Sequence, residues 1–545
     1  MKRPSLHSTF AAVSLWAATL ICPVALASAA WTPGDITVVG PRTAPVDLKA
    51  YAQVHYVSAA APGKGPGAGT REQPWKSVAA ALQAAGVATA EHRVAILVAA
   101  GVYDQGTLTL REHVDLFGGF AAGTWQRDIF ANETVLDGRH TWRVALGADH
   151  ATLDGFVIRR GRAFGFGGGV LCDNTSPTLS NNRFEECFTV QPPDFRTDLM
   201  HQRGNLGGAV ACLYNSVPRI VNNLFRKNWT EIGEGGALSL YGWVRLPGAP
   251  RAIVENNVFV DNLAGTKDLT RTRSSSGGAI SCSYEASPMI RNNIIAHNRA
   301  MGRSDAGGIY CENFSSPEIT GNWVVGNEGD DDGGGFYTMR DGEPVLRGNL
   351  FAGNWTTMGG IGGLRISKEG RARVLANVIV RNGTGGGIYM ADGWVEIANN
   401  LVADNQGGPG LRFLQSFAHF QPSRITGNTF AGNETAPILW LENVGEAPMQ
   451  ENNKLQAAPV FADSGPVVTL TAATFNAKRG WTELRSTAAL ADAAQLVGRA
   501  VRAGQRWSVV LRSEGDTLWV WGDFSDPEAA KSLEILPDYR PPVSS

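Results

Sequence analysis

At 545 residues the chain is longer than one ordinary compact domain, unless it is built from units that add in one dimension. Its formal net charge of -2 at pH 7 and 18% charged residues leave no basic footprint, which argues against nucleic acid and anionic membrane as partners.

In chain order, Lys2 and Arg3 precede an apolar stretch through Leu15, Trp16, Leu20 and Val24, and the small residues Ala27, Ser28 and Ala29 follow. Residues 1–30 therefore read as a secretory signal, and a periplasmic, cell-surface or extracellular protein is expected. Leu20 and Ile21 ahead of Cys22 argue against lipoprotein processing. No later stretch approaches the ~20 apolar residues of a membrane span. Residues 31–50 form a lead-in. The remaining cysteines, Cys172, Cys187, Cys212, Cys282 and Cys311, show no spacing typical of zinc ligands.

A repeat organises the middle of the chain. "NNRFEEC", "NNLFRKN", "NNVFVDN", "NNIIAHN", "GNWVVGN", "GNLFAGN", "ANVIVRN", "NNLVADN" and "GNTFAGN" follow one another from Asn181 to Asn433. Between them recurs a glycine phrase: "GGGVLC", "GGAVAC", "GGALSL", "GGAISC", "AGGIYC", "GGGFYT", "IGGLRI", "GGGIYM" and "GPGLRF". Each unit reads as a turn of small residues and three short strands. Such strands bury a continuous apolar column only when stacked in parallel at ~4.8 Å per coil. The asparagines 182, 223, 257, 293, 322, 349, 377, 400 and 428 then form an internal amide ladder.

On these phrases the chain resembles the right-handed parallel β-helix, or pectate-lyase-like, superfamily over residues 51–462. The resemblance implies an all-β solenoid. "VHYVSAAAPGKGPGAGTREQPWKSVAAALQAA" is similar to the strand, Gly-rich loop and short helix that open many secreted β-helix proteins. A helix from Ser77 to Ala85 is expected to cover the sheet end, with "VAILVAAGVY" and "VDLFGGF" as first coils. After "LQAAPVFAD" the Asn phrase stops, and a boundary near Asp463 separates a C-terminal β-rich unit, 463–545, that either caps the solenoid or attaches it elsewhere.

The connections ahead of the glycine phrases are long in the middle coils and fall on one face, the usual binding face of a solenoid. In register, Glu234, Ser276, Asp305 and Asp332 occupy one place on four consecutive coils, with Asp330 and Asp331 just beyond. Carboxylates this close either raise a pKa or collect a cation, and hard oxygens suit Ca²⁺; backbone preference for Asp and Gly in turns is the other account. "NEGDDDG" resembles the "DDG" turn that supplies calcium ligands in some β-helix pectate lyases, which implies Asp331 and Asp332 as ligands, with Asp305 beside them. Phe336 and Tyr337 stand where that pattern has a further Asp.

Val170, Ile280, Ile309, Phe336 and Ile388 are expected inside, which turns Tyr310, Tyr337, Arg365, Tyr389 and Arg412 outward as a column. Aromatic faces and guanidinium groups suit an acidic polysaccharide, and Trp229 and Trp355, both in "NWT", are candidates for the groove's rim. Ordinary cross-strand stacking is the competing account. Cys172 with Cys212, and Cys282 with Cys311, face inward as neighbours: either disulfides or buried thiols. His201 and His297 stand alone near the loop face.

Two readings follow. In the first, the protein is a polysaccharide-active enzyme, a cation-dependent lyase of acidic glycans, in which Asp305, Asp331 and Asp332 hold the cation and Arg365 accepts the proton, with Lys368, Arg303 and Arg273 behind it. A hydrolase would instead use Glu234 with Asp305 or Asp332. In the second, the protein is a non-catalytic envelope or surface protein whose groove binds glycan or protein. A monomer is expected in either.

Overall fold

The computed structural model describes residues 35–63, 65–191, 204–242, 251–266, 275–416, 422–443, 446–456, 465–490, 493–526 and 531–539. The signal-like segment, the Asp463 boundary, His201 and Arg273 lie outside the described residues.

Each coil contributes three short strands, and like strands of successive coils pair in parallel. The first sheet holds 14 strands from Gln53–Val57 to Met449–Glu451, the second 13 from Gly101–Tyr103 to Lys454–Gln456, and the third 12 from Leu108–Thr109 to Ile438–Asn443. Seven coils add a short fourth strand, from Arg162–Phe164 to Trp355–Thr356. The helix Val78–Ala84 begins at Ser77, whose side chain accepts from Ala80 N–H, and packs Val78, Ala81 and Leu82 against the first coil.

The Asn phrases have a two-part cause. The first residue of each pair turns the chain in the left-handed region: Asn222, Asn256, Asn292 and Gly321 have φ of 57°, 56°, 53° and 66°. Asn and Gly tolerate that conformation best. The second residue is the rung. Asn223 donates from its backbone N–H and Nδ2 to Asn257 Oδ1 at 2.9 and 3.0 Å, and from Nδ2 to Leu179 O at 2.8 Å. The ladder runs from Asn182 through the positions expected from sequence to Asn453, one coil further.

A second ladder stands at the other end of the same strands. It links Asn228, Asn262, Asn298, Asn327, Asn354, Asn382, Asn405 and Asn433. Between the ladders lies a dry column in which Phe184, Phe225 and Phe259 stack at 4.7 and 4.6 Å. Val170, Ile280, Ile309, Phe336 and Ile388 point into it, as expected. So do Cys172, Cys212, Cys282 and Cys311; all five described cysteines are free, which selects buried thiols over disulfides. Burial pushes the Cys187 thiol up to about 12, removing it as a nucleophile near neutrality.

The C-terminal unit is a closed antiparallel barrel of six strands between Val467 and Ile535. It neither caps the solenoid's end nor stands apart from it. Trp507, Val509 and Trp521 pack on the outer face of the second sheet, against Leu224, Val258, Ile294, Trp323 and Leu350. Trp323 Nε1 donates across this seam to Gly498 O at 2.9 Å. No helix of the described residues is long and apolar enough to cross a membrane.

Candidate functional site

The site lies on the outer face of the third sheet and the turn that leads into it. Bridges pair Glu234 with Ser276 and Ser276 with Asp305, and Ala306 N–H donates to Asp332 O at 2.9 Å, so the four residues share one place on consecutive coils. The turn that follows needs a left-handed residue, supplied by Gly235, Gly277 and Gly333 and, with φ of 57°, by Ala306. It points the preceding acid toward the outward strand positions instead of into the core.

Asp305 and Asp332 differ in their partners. Burial pushes the Asp305 carboxyl up to about 7, with help from the charges of Asp332 and Asp331 and against those of Lys368 and Arg365. Asp332 is also held above the usual carboxylate range by burial, and Arg365 opposes the shift. Its Oδ2 lies 3.6 Å from Arg365 Nε, with both side chains half-buried. The pair thus presents two carboxyls raised by burial, Asp305 to about 7, with a guanidinium beside Asp332.

Asp330 and Asp331 do other work. Asp330 accepts from Arg303 N–H at 3.3 Å and from Thr357 Oγ at 2.9 Å, which braces two coils. Asp331 faces solvent. Among the described residues no three His, Cys, Asp or Glu side chains gather closely enough to hold a metal ion. The three successive acids of this turn diverge: Asp330 to a brace, Asp331 to water and Asp332 to Arg365.

Arg365 is placed as a charge partner. Its guanidinium stacks 3.8 Å from the centre of the Tyr389 ring while meeting Asp332, and Arg412 approaches the same ring at 5.2 Å. Lys368 is exposed in the turn after Ser367, and its charge acts on both Asp305 and Asp332.

The outward column has the register expected: Tyr310, Tyr337, Arg365, Tyr389 and Arg412 are direct neighbours on successive strands. Two of its members are closed. Tyr310 is 4% exposed and Tyr337 2%, packed edge to face with ring centres 5.9 Å apart, so neither offers a face to a sugar. Tyr337 OH meets Ser367 Oγ at 2.7 Å, and Tyr310 OH donates to Glu312 Oε2 at 3.0 Å. Tyr389, Arg365 and Arg412 remain half-open. Trp229 and Trp355 start strands of the fourth sheet, and Trp229 Nε1 donates to Gly265 O at 2.8 Å. His297 Nδ1 meets Asp261 at 2.8 Å beneath the barrel's Arg506, away from this face.

Glu312 is the residue that the repeat alone did not single out. Two places after Tyr310, it points outward in the same alternation, and it is buried. It accepts from Arg340 at 2.8 Å and adjoins Glu234, which Ser283 Oγ also binds. Burial, then the charge of Glu312, pushes Glu234 up to about 8; the Ser283 hydrogen bond pulls the other way. Glu234 therefore belongs with Glu312, Tyr310 and Arg340, and Asp305 with Asp332 and Arg365.

The sequence matches the family described as a right handed beta helix region over residues 144–351 and 279–454, more than half of the chain. The chain belongs to the right-handed β-helix family. No curated protein matches it. Among solved structures the β-helix is similar to the periplasmic alginate epimerase AlgG, at 10% identity over 67% of this chain and 77% of that one, with a TM-score of 0.35. It is also similar to the A-module of the Azotobacter vinelandii mannuronan C-5 epimerase AlgE6, at 12% identity over 70% and 94%, TM-score 0.31. The complex of XylC with xylose is similar at 11% identity over 90% and 97%, TM-score 0.34. Likenesses this distant leave the site's chemistry to be argued from its own residues.

Proposed function

We propose that this β-helix is an exported glycan-processing enzyme whose acid and base are carboxyls. The observation that carries the reading is the unequal pair on adjacent coils: Asp305, holding its proton to about pH 7, beside Asp332, which faces Arg365. Glycosidic cleavage needs two carboxyl groups, one to protonate the departing oxygen and one to act as base or nucleophile. Arg365, Tyr389 and Arg412 lie along the same face and suit the carboxylate and ring of an acidic sugar. This pairing needs no resident cation. The lyase alternative gives Ca²⁺ and a base such as Lys368 that work.

A panel of pectate, alginate and glycosaminoglycans, assayed for new reducing ends and for unsaturated products with chelator or added Ca²⁺, tests it. Reducing ends without unsaturation, insensitive to chelator, are expected. Chelator-sensitive unsaturated product would replace the hydrolase with the lyase. Inactivity on every substrate would favour the non-catalytic surface protein that binds glycan or another protein.

Export rests on the first 30 residues and is tested by cell fractionation with N-terminal sequencing of the mature chain, which should begin near residue 30.

A further inference from the structure

A second polar cavity lies on a different face, at the seam between solenoid and barrel. Its volume is about 310 Å³, and it is lined by Arg381, Asp404 and Gln406 from the solenoid and by Arg502, Trp507 and Glu534 from the barrel. The repeat explains its position. The residue ahead of each second-ladder Asn faces the barrel, and on two coils it is Gly326 or Gly353, where a Cβ would stand 2.5 or 2.3 Å from the Trp507 ring. On the next two coils the same place holds Arg381 and Asp404, whose backbones are joined in register by Arg381 N–H to Ala403 O at 3.1 Å. The indole therefore lies flat on two glycines and borders a polar recess on the third and fourth coils.

The recess has polar groups to spare. Arg381 is paired with Glu534 across the seam. Among the described residues no hydrogen bond is formed by the side chains of Asp404 and Gln406; the charge of Arg381 acts on the half-buried Asp404, and Gln406 is exposed. Arg502 uses only its Nε, on Gly504 O at 2.9 Å, and holds its guanidinium 5.7 Å from the Trp507 ring. An acceptor, an amide and a donor fork are thus left around one aromatic edge.

We propose that this seam cavity binds a single unit of a neutral sugar against Trp507, through Asp404, Gln406 and Arg502. Two arginines and two carboxylates leave the lining without net charge, so a charged ligand gains nothing that it does not also lose. Free acceptors and donors side by side match hydroxyls, which both give and take hydrogen bonds. Sugar C–H faces pack on indole. The volume sits at the small end of ligand pockets, ~300–1,000 Å³, which fits one ring and not a chain.

The site is independent of the acid pair on the third sheet, and the experiment keeps the two apart. Full-length protein is titrated with glucose, galactose and xylose, and with glucuronate and glucosamine as charged counterparts, using saturation-transfer NMR. Saturable binding of a neutral sugar is expected, with a Kd on the order of 1 mM. Asp404→Ala and Gln406→Ala should each weaken it about tenfold at unchanged melting temperature, and Asp305→Asn should leave it intact. Arg502→Ala replaces either variant that fails to fold. Absence of binding by all three neutral sugars up to ~100 mM, tighter binding of glucuronate or glucosamine, or insensitivity to these variants would each overturn the proposal.

Discussion

The outer faces of the second and third sheets come from the same repeat and end differently. On the second sheet the outward places hold Leu224, Val258, Ile294, Trp323 and Leu350, and the barrel covers them. On the third they hold Ser281, Tyr310, Tyr337, Arg365 and Tyr389, and the acids of the turn lean over them. A solenoid fixes which positions face out; the residue type there decides whether a face is covered or left to meet a ligand.

The largest effect that separates the two faces is expected at the acid pair. Asp305→Asn or Asp332→Asn should lower glycan cleavage by about 10²–10⁴-fold, the usual worth of a positioned acid or base, with circular dichroism unchanged. Full activity in both variants would move the chemistry off this face. On the covered face, Trp323→Ala removes a fully buried indole and its bond to Gly498 O, and should cost about 3–5 kcal/mol. Limited proteolysis should then release the barrel before the solenoid unfolds. Loss of a rung serves both faces. Asn322→Ala, at 0% exposure, strands the amide hydrogens of Asn293 and should cost about 1–3 kcal/mol by denaturant unfolding, against a few tenths for an exposed Asn.

The last contrast is in pH dependence. Folding raises Asp305 from 3.8 to about 7 and Glu234 from 4.5 to about 8, so the folded state binds more protons in between. Their contribution is whole below about pH 4 and is lost as pH rises toward 8. Between those limits melting temperature should fall with rising pH, and Asp305→Asn should flatten the part of the slope below pH 7. An unchanged slope would mean that Asp305 is not held protonated.

The first Asn ladder and the inward and outward alternation were legible because each coil repeats the same local problem. A left-handed residue must precede the rung, and a strand has a period of two. The shared place of Glu234, Asp305 and Asp332 followed from aligning glycine turns. What the side chains do there was not legible. Asp331 and Asp332 are adjacent in sequence, yet one faces water and the other Arg365 from the next coil. Tyr310 and Tyr337 were placed outward correctly, but their closure depends on each other, on Glu312 and on Ser367. Glu312 itself shows no motif; Arg340 and Glu234, from two other coils, give it a role.

The sequence by itself determined a stack of parallel coils, its amide ladder, its apolar column of Phe, Ile, Val and Cys, and which residues stand outside. Those follow from local backbone preference and from apolar burial, repeated at every coil. Only the tertiary structure decided that the barrel lies along the second sheet, that Trp507 rests on Gly326 and Gly353, and that burial raises the carboxyls of the acid pair. Those depend on desolvation and on charges brought together from different coils, which no single phrase of the repeat encodes.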